Sequence, residues 1–155
     1  MDTNFTPEEK KLVDFSKAKI LEYVKARKNK ELYDIIFAFV VSDSGSMYEG
    51  SAFEPQQPYA GFCAERHAIA NMILTETEKA KIISILTAGP VPKISDKSIL
   101  PCGLCRFTIL EYATPSTTFL SSEFIRNDSD WNIFPKVEKY SITELCPSPY
   151  EPVKW

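Results

Sequence analysis

The chain has 155 residues, of which 44% are hydrophobic and 25% are charged, and its formal net charge is −3. These values predict a single soluble globular domain, spanning residues 1–155, with a sizeable core. The acidic balance argues against nucleic acid as the main partner, and no apolar run is long enough to cross a membrane. The first residues are polar and then helical in pattern, so no secretory signal is predicted and a cytoplasmic location is expected.

The first predicted element is a helix that begins at Thr6 and ends at about Lys28. Thr6 and Glu9 can form a capping box, and Pro7 suits the first helical position. Apolar residues then recur with a period near 3.6, while lysines occupy the opposite face. That lysine face is interpreted as solvated surface.

The rest of the chain alternates between strand and helix patterns, which predicts a three-layer α/β/α domain. A turn at residues 43–46 joins the first two strands as an antiparallel hairpin. Two proline-containing loops are expected, one opened by Pro90 and Pro92 and leading to Pro101, the other at 126–135, where Trp131 and Phe134 lie among polar residues. The strands are predicted at 35–41, 47–53, 82–88, 117–120 and 137–141, and the helices at 63–75 and 102–111.

Three of the four cysteines form a split pattern that contains one carboxylate. Cys63-Ala64-Glu65 is followed, 36 residues after Glu65, by Pro101-Cys102-Gly103-Leu104-Cys105. Three thiols can bind zinc and leave its fourth position open for water, and an adjacent glutamate can move protons. Without a secretory signal, metal binding is favoured over disulfides. The fourth cysteine, Cys146, is predicted to be a small buried residue.

Two alternatives to an open catalytic metal site follow from the residues themselves. His67 lies four residues after Cys63 on the same predicted helix, so it could close the site as a fourth ligand. Glu65 could simply complement the dipole at the start of that helix. The adjoining ligand pattern favours a proton-transfer role for Glu65, whereas the residues alone do not exclude His67 as the fourth ligand.

The pattern Cys-x-Glu followed by Pro-Cys-x-x-Cys resembles the three-cysteine form of the zinc deaminase signature. Residues 62–69 resemble the small, tetrameric cytidine deaminases, and residues 141–148 resemble their C-terminal helix and Pro-Ser turn. Blasticidin S deaminases share these features. The resemblance covers roughly residues 8–150, with a longer loop expected after residue 120. It implies a cytidine deaminase-like fold with a five-stranded mixed sheet, a Zn²⁺ cofactor, and a homotetramer, with a homodimer as the alternative.

The resemblance also implies a role for each residue of the split pattern. Cys63, Cys102 and Cys105 would bind the metal. Glu65 would be the general acid/base, taking a proton from the attacking water and delivering it to N3 of a cytosine-type ring. Three thiolates leave a zinc site with negative charge, so a nearby cation should help. Arg66, which directly follows Glu65, is the first candidate for that role. Arg106, which directly follows Cys105, is the second.

Substrate contacts are expected from Glu54, Ala64 and Tyr150, the last as the aromatic residue that closes the pocket. The family's sugar-binding Asn-x-Glu pair is here Ala52-Phe53-Glu54, so the glutamate is kept and the asparagine is missing. A family phenylalanine also lacks a counterpart, because Asp34 falls near its position. Two more aromatic residues flank the site and are interpreted as core or interface residues: Tyr59 and Phe62.

The sequence therefore predicts a zinc hydrolase that deaminates a cytosine-containing nucleoside to the uracil form and releases ammonia. Its partners would be that small molecule and water, with no nucleic acid and no membrane. The alternatives are a blasticidin S-type aminonucleoside deaminase and a zinc-stabilised nucleoside-binding protein without turnover. A deaminase of single-stranded nucleic acid would need a basic, aromatic-lined channel, and beyond the first helix the chain has no long basic stretch.

Overall fold

The structure, a computed structural model, describes residues 4–26, 35–52, 61–91, 93, 96–127 and 130–148. This part of the chain contains four helices and five strands. None of the described helices has the length and apolar character needed to cross a membrane. In chain order the elements are α1 (Pro7–Ala26), β1 (Phe37–Ser42), β2 (Met47–Ser51), α2 (Ala64–Glu76), β3 (Ile82–Val91), α3 (Gly103–Tyr112), β4 (Ala113–Asn127), β5 (Asp130–Ser141) and α4 (Ile142–Leu145).

The five strands form one mixed sheet in the order β2-β1-β3-β4-β5. β3 and β4 are parallel and are connected by α3, whereas the other three strand pairs are antiparallel. Side chains of α1 pack on one face of the sheet, against Phe37, Phe39 and Leu86. Side chains of α2, α3 and α4 pack on the other face, against Ala38 and Val40. The predicted three-layer α/β/α fold with a five-stranded mixed sheet is therefore confirmed.

The start of α1 matches its sequence signals. The Thr6 hydroxyl accepts from the Glu9 backbone N–H at 3.2 Å, and the Glu9 carboxylate accepts from the Thr6 N–H at 2.8 Å. This reciprocal pair satisfies two backbone donors that have no partner within the helix. The described helix ends at Ala26, and the predicted end near Lys28 lies outside the described residues.

The predicted loop at 126–135 is wrong, and the extra length that was expected as a longer loop after residue 120 is instead strand. β4 and β5 form a long antiparallel hairpin in which Ser122 pairs with Val137 and Phe124 pairs with Ile133. On β4 one residue lies between Ser122 and Phe124, whereas on β5 three residues lie between their partners Ile133 and Val137. The extra residues on β5 form a bulge. Phe134 lies in this bulge with φ 59° and a buried ring. The bulge breaks the period-two alternation by which a strand is recognised in sequence.

One close contact fixes α2 against the edge strand β2. A Cβ added at Gly50 would lie 2.4 Å from the backbone nitrogen of Ala68 and 2.7 Å from the carbonyl oxygen of Ala64. Only glycine permits this approach of strand to helix. The contact matters for the site because α2 begins directly after Cys63.

Candidate active site

Two of the three patterned cysteines are the N-cap residues of helices, as predicted. Cys63 precedes α2 and Cys102 precedes α3, and both have extended backbone angles, with ψ near 156° and 168° respectively. Cys105 lies within the first turn of α3 and is fully buried. Two helix N-termini, each favouring negative charge, therefore meet where the thiols cluster.

The three sulfur atoms form a compact cluster. The Sγ atoms of Cys63, Cys102 and Cys105 all lie within 4.8 Å of one another, and the Cys63–Cys102 pair is separated by 3.8 Å. Tetrahedral zinc with Zn–S bonds of about 2.3 Å places its sulfur ligands about 3.8 Å apart. All four cysteines are free thiols, and a disulfide would need a separation of about 2 Å.

Electrostatics in the cluster favour a bound cation. Burial, followed by the charge of Glu65, raises the pKa of the Cys105 thiol strongly. Burial also raises the pKa of Cys63, whereas the backbone N–H of Cys105 lowers the pKa of Cys102. Three thiolates and a carboxylate repel one another without a counter-charge, and a coordinating dication deprotonates thiols directly. The donor set and its spacing therefore fit zinc.

His67 does not belong to the sulfur cluster. Its Nδ1 atom lies 3.1 Å from the carbonyl oxygen of Ser51 and 3.4 Å from the Ser51 nitrogen, so the ring is bound to β2. Phe62 packs edge-on against the same ring, with centroids 5.4 Å apart. Among the described residues, the group that could hold a metal ion consists of the three cysteines alone. This arrangement does not favour the closed site with histidine as fourth ligand.

Glu65 lies beside the sulfur cluster. Its side chain is in the first turn of α2, is 4% exposed, and places Oε2 at 3.5 Å from the Sγ atom of Cys105. A carboxylate that only complemented the helix dipole would have no need of this burial against a thiol. The structure thus brings together the four residues of the split pattern, while their chemical roles remain predictions.

The two candidate charge-compensating arginines have different surroundings. Arg66 has its guanidinium carbon 6.0 Å from the centroid of the Phe62 ring. Its Nε atom is buried and makes no hydrogen bond with the residues described here. Arg106 instead donates to two backbone carbonyls, those of Pro101 and Leu145, at 2.9 and 2.6 Å. Sequence reasoning did not anticipate these contacts of Arg106, and no sequence pattern signals them.

The predicted substrate contacts are only partly covered by the structure. Ala64 is fully buried at the start of α2. Ala52 donates its backbone N–H to the carbonyl of Ile36 at 2.8 Å, which continues the hairpin pairing beyond β2. The remaining predicted residues around the pocket lie outside the described residues: Asp34, Glu54, Tyr59 and Tyr150.

The C-terminal segment carries a short helix, as the resemblance implied. Ser141 and Glu144 form a capping box at the start of α4, and the helix ends at Leu145. Cys146 follows it and is only half-buried, so the prediction of a buried residue is wrong there. A helix of four residues that ends at the preceding residue leaves that side chain near the surface.

Among solved structures, cytidine deaminases share this fold. The cytidine deaminase from Burkholderia pseudomallei matches with a TM-score of 0.65 and 21% identity, over 94% of this chain and 100% of that one. The enzymes from Mycobacterium tuberculosis and Mycobacterium leprae match with TM-scores of 0.54, at 16% and 17% identity, over 76% and 84% of this chain and 79% and 93% of theirs. No protein-family model and no curated protein matches the sequence. At these identities the likeness establishes the fold.

Proposed function

We propose that this protein is a zinc-dependent hydrolytic deaminase that converts a cytosine-containing nucleoside to its uracil form and releases ammonia. One observation carries the proposal. Three cysteine sulfurs from two helix N-termini lie within 4.8 Å of one another, and the Glu65 carboxylate lies 3.5 Å from one of them. This arrangement occurs in a fold shared with solved cytidine deaminases.

Three residues would hold the zinc, namely Cys63, Cys102 and Cys105. When bound, the metal supplies Lewis-acid activation of water, which lowers the pKa of that water toward neutrality. Three protein ligands leave one position free, which is typical of catalytic rather than structural zinc. The burial of Cys105 and the exposure of Cys102 place the cluster at the boundary between core and surface.

Glu65 supplies the proton transfers. Its carboxylate accepts a proton from the attacking water and delivers it to N3 of the pyrimidine ring, while the water oxygen bonds to C4. A second transfer takes the proton of the new C4 hydroxyl through the same carboxylate to the amino group, and the C4–N bond breaks as the C4=O bond forms, which releases ammonia. Because Glu65 is 4% exposed, bulk water has little access to it and the protons pass between carboxylate and substrate.

Assembly and location complete the proposal. Leu100, Leu104 and Phe107 are 41%, 56% and 44% exposed on and before α3. Exposed apolar side chains close together in sequence are typical of protein interfaces, and they support self-association, as a homotetramer or as a homodimer. Free cysteines are typical of a reducing compartment, which supports a cytoplasmic location. Light scattering on the purified protein measures the assembly directly.

A substrate panel tests the proposed function. The zinc-loaded protein is incubated with cytidine, deoxycytidine, cytosine and blasticidin S, and ammonia release is followed together with ultraviolet absorbance. We expect turnover of cytidine and deoxycytidine. Turnover of blasticidin S alone would assign the site to an aminonucleoside antibiotic, and binding without any ammonia release would make the protein a nucleoside-binding protein.

A further inference from the structure

Of the three clustered thiols, Cys102 has the least packing around it. Cys105 is fully buried and Cys63 is half-buried, whereas Cys102 is exposed where the chain enters α3. Its position therefore depends on the segment that precedes it, residues 98–101. A metal site retains its geometry only when the ligands are held by packing or hydrogen bonds from surrounding residues.

The first half of this segment is bound to the sheet. The Ser98 hydroxyl donates to the carboxylate of Glu138 and accepts from the Tyr140 hydroxyl, both on β5. One residue later, the carbonyl of Ile99 accepts from the Ser121 hydroxyl on β4 at 3.1 Å. Two neighbouring strands thus fix two consecutive residues of the segment.

The second half is bound by Arg106. Its Nε atom donates to the carbonyl oxygen of Pro101 at 2.9 Å, and its Nη1 atom donates to the carbonyl oxygen of Leu145 at 2.6 Å. The Pro101 carbonyl belongs to the peptide that immediately precedes Cys102, so the guanidinium fixes the orientation of that peptide. The Leu145 carbonyl lies at the end of α4, where helical carbonyls lack partners within the helix.

We infer that Arg106 and Ser98 are positioning residues for the metal, holding residues 98–101 so that Cys102 reaches the other two thiols. This inference rests on the proposed zinc site. Arg106 is suited to the task because its planar guanidinium donates in two fixed directions, whereas a lysine in its place would offer only a flexible point charge. Neither residue touches the reacting atoms.

The rate of zinc release to excess chelator tests the inference. The variants are Arg106→Gln, Arg106→Lys and Ser98→Ala. Thr108→Val is the control, because Thr108 lies on the same helix and its hydroxyl donates to Leu104 in the preceding turn. Partners that orient metal ligands typically contribute 10–100-fold to metal affinity. We expect Arg106→Gln to release zinc about 10–100-fold faster than wild type. Ser98→Ala should also release zinc faster than wild type. Arg106→Lys should release zinc at a rate between those of wild type and Arg106→Gln.

Circular dichroism and urea unfolding with zinc in excess separate this effect from loss of the fold. If Arg106→Gln does not fold, Ser98→Ala decides the question, and zinc release by that variant at the wild-type rate overturns the inference. The inference is also overturned if folded Arg106→Gln releases zinc as slowly as wild type. It is overturned as well if the Thr108→Val control releases zinc as fast as Arg106→Gln. Wild-type protein that binds no zinc would instead contradict the proposed function, so the two failures are distinguishable.

Discussion

At the scale of single residues, Cys102 allows a direct test of the sulfur cluster. Cys102→Ser keeps the size of the side chain but replaces a soft thiolate ligand with a poor one. We expect the zinc content to fall well below one ion per chain. We also expect lower stability, because metal binding contributes to the free energy of folding. Metal analysis and urea unfolding measure both effects.

Cys146→Ser is the matched control for that substitution. Cys146 is a half-buried free thiol that does not belong to the sulfur cluster, so the same chemical change there should leave the zinc content unchanged. A Cys102→Ser protein that still purifies with one zinc per chain would show that the cluster is not the metal site.

Under the proposed function, the residue at position 52 should affect how tightly the sugar of the nucleoside is recognised, and here it is Ala52. Its methyl group makes no hydrogen bond, whereas the resemblance places an asparagine at this position. A lost neutral hydrogen bond is worth on the order of 1 kcal/mol. We therefore expect the kcat/KM values for cytidine and deoxycytidine to lie within about tenfold of each other. Steady-state kinetics with both substrates measures the ratio.

Ala52→Asn should raise kcat/KM for cytidine, chiefly by lowering KM. A sugar contact that is made equally in the ground state and the transition state changes binding rather than turnover. Deoxycytidine is the internal control for general effects on the pocket. A wild-type enzyme that already prefers cytidine over deoxycytidine by about a thousandfold would mean that another residue holds the ribose.

At the scale of elements, the contact between β2 and α2 supports the position of Cys63 and Glu65. In Gly50→Ala the new methyl group would lie 2.4 Å from the Ala68 backbone nitrogen, so the helix must shift. Overpacking of this kind costs about 1–3 kcal/mol. We expect that loss in the free energy of unfolding, measured in urea, together with slower turnover.

Gly103→Ala is the matched control for stability, because a Cβ at that position meets no atom within 4 Å. Its unfolding free energy should equal or exceed that of wild type, since alanine is favoured over glycine in a helix. Equal stability of Gly50→Ala and wild type would mean that strand and helix approach less closely than the structure shows.

Glu9 connects α1 to the β4–β5 hairpin through a buried carboxylate. It is 1% exposed, and it accepts from Lys139 at 2.9 Å and from Thr118 at 2.7 Å. Burial alone would raise its pKa, but these bonds and the Thr6 N–H outweigh burial and lower the pKa below its usual value. Its contribution to stability is therefore complete above the unfolded-state pKa, near 4.5, and is lost as the pH falls through the lower folded-state pKa.

The test compares wild type with Glu9→Gln between pH 7 and pH 3. Hydrogen bonds to a charged group are worth about 1.5–3 kcal/mol, so Glu9→Gln should be destabilised by about that amount at pH 7. The difference in unfolding free energy between wild type and Glu9→Gln should shrink below pH 4.5, which is the usual pKa of this carboxyl. Glu22→Gln, on the exposed side of the same helix, is the control and should have little effect. A difference for Glu9→Gln that is independent of pH would contradict the argument.

At the scale of the whole molecule, the sequence predicts the layers and the sulfur cluster because both depend on local patterns. Cys63, Glu65 and Cys102 are positioned by the helices that begin beside them, and helix starts have local signals. The β4–β5 hairpin was missed because the bulge at Phe134 disrupts the alternation of its strand. The bond from Arg106 to Leu145 was missed because it arises only when α3 and α4 are brought together, and the bond to Pro101, five residues earlier in the chain, has no sequence pattern that signals it.

The central claim is that this fold carries a zinc site at which Glu65 moves protons during deamination. The most direct measurement compares the turnover of cytidine by zinc-loaded wild type, Glu65→Gln and the control Glu78→Gln, which changes an exposed carboxylate after α2. The account predicts that Glu65→Gln keeps its zinc and its fold but loses turnover by at least about 100-fold, the lower end for a positioned acid/base. Near-normal deamination by Glu65→Gln would contradict the account.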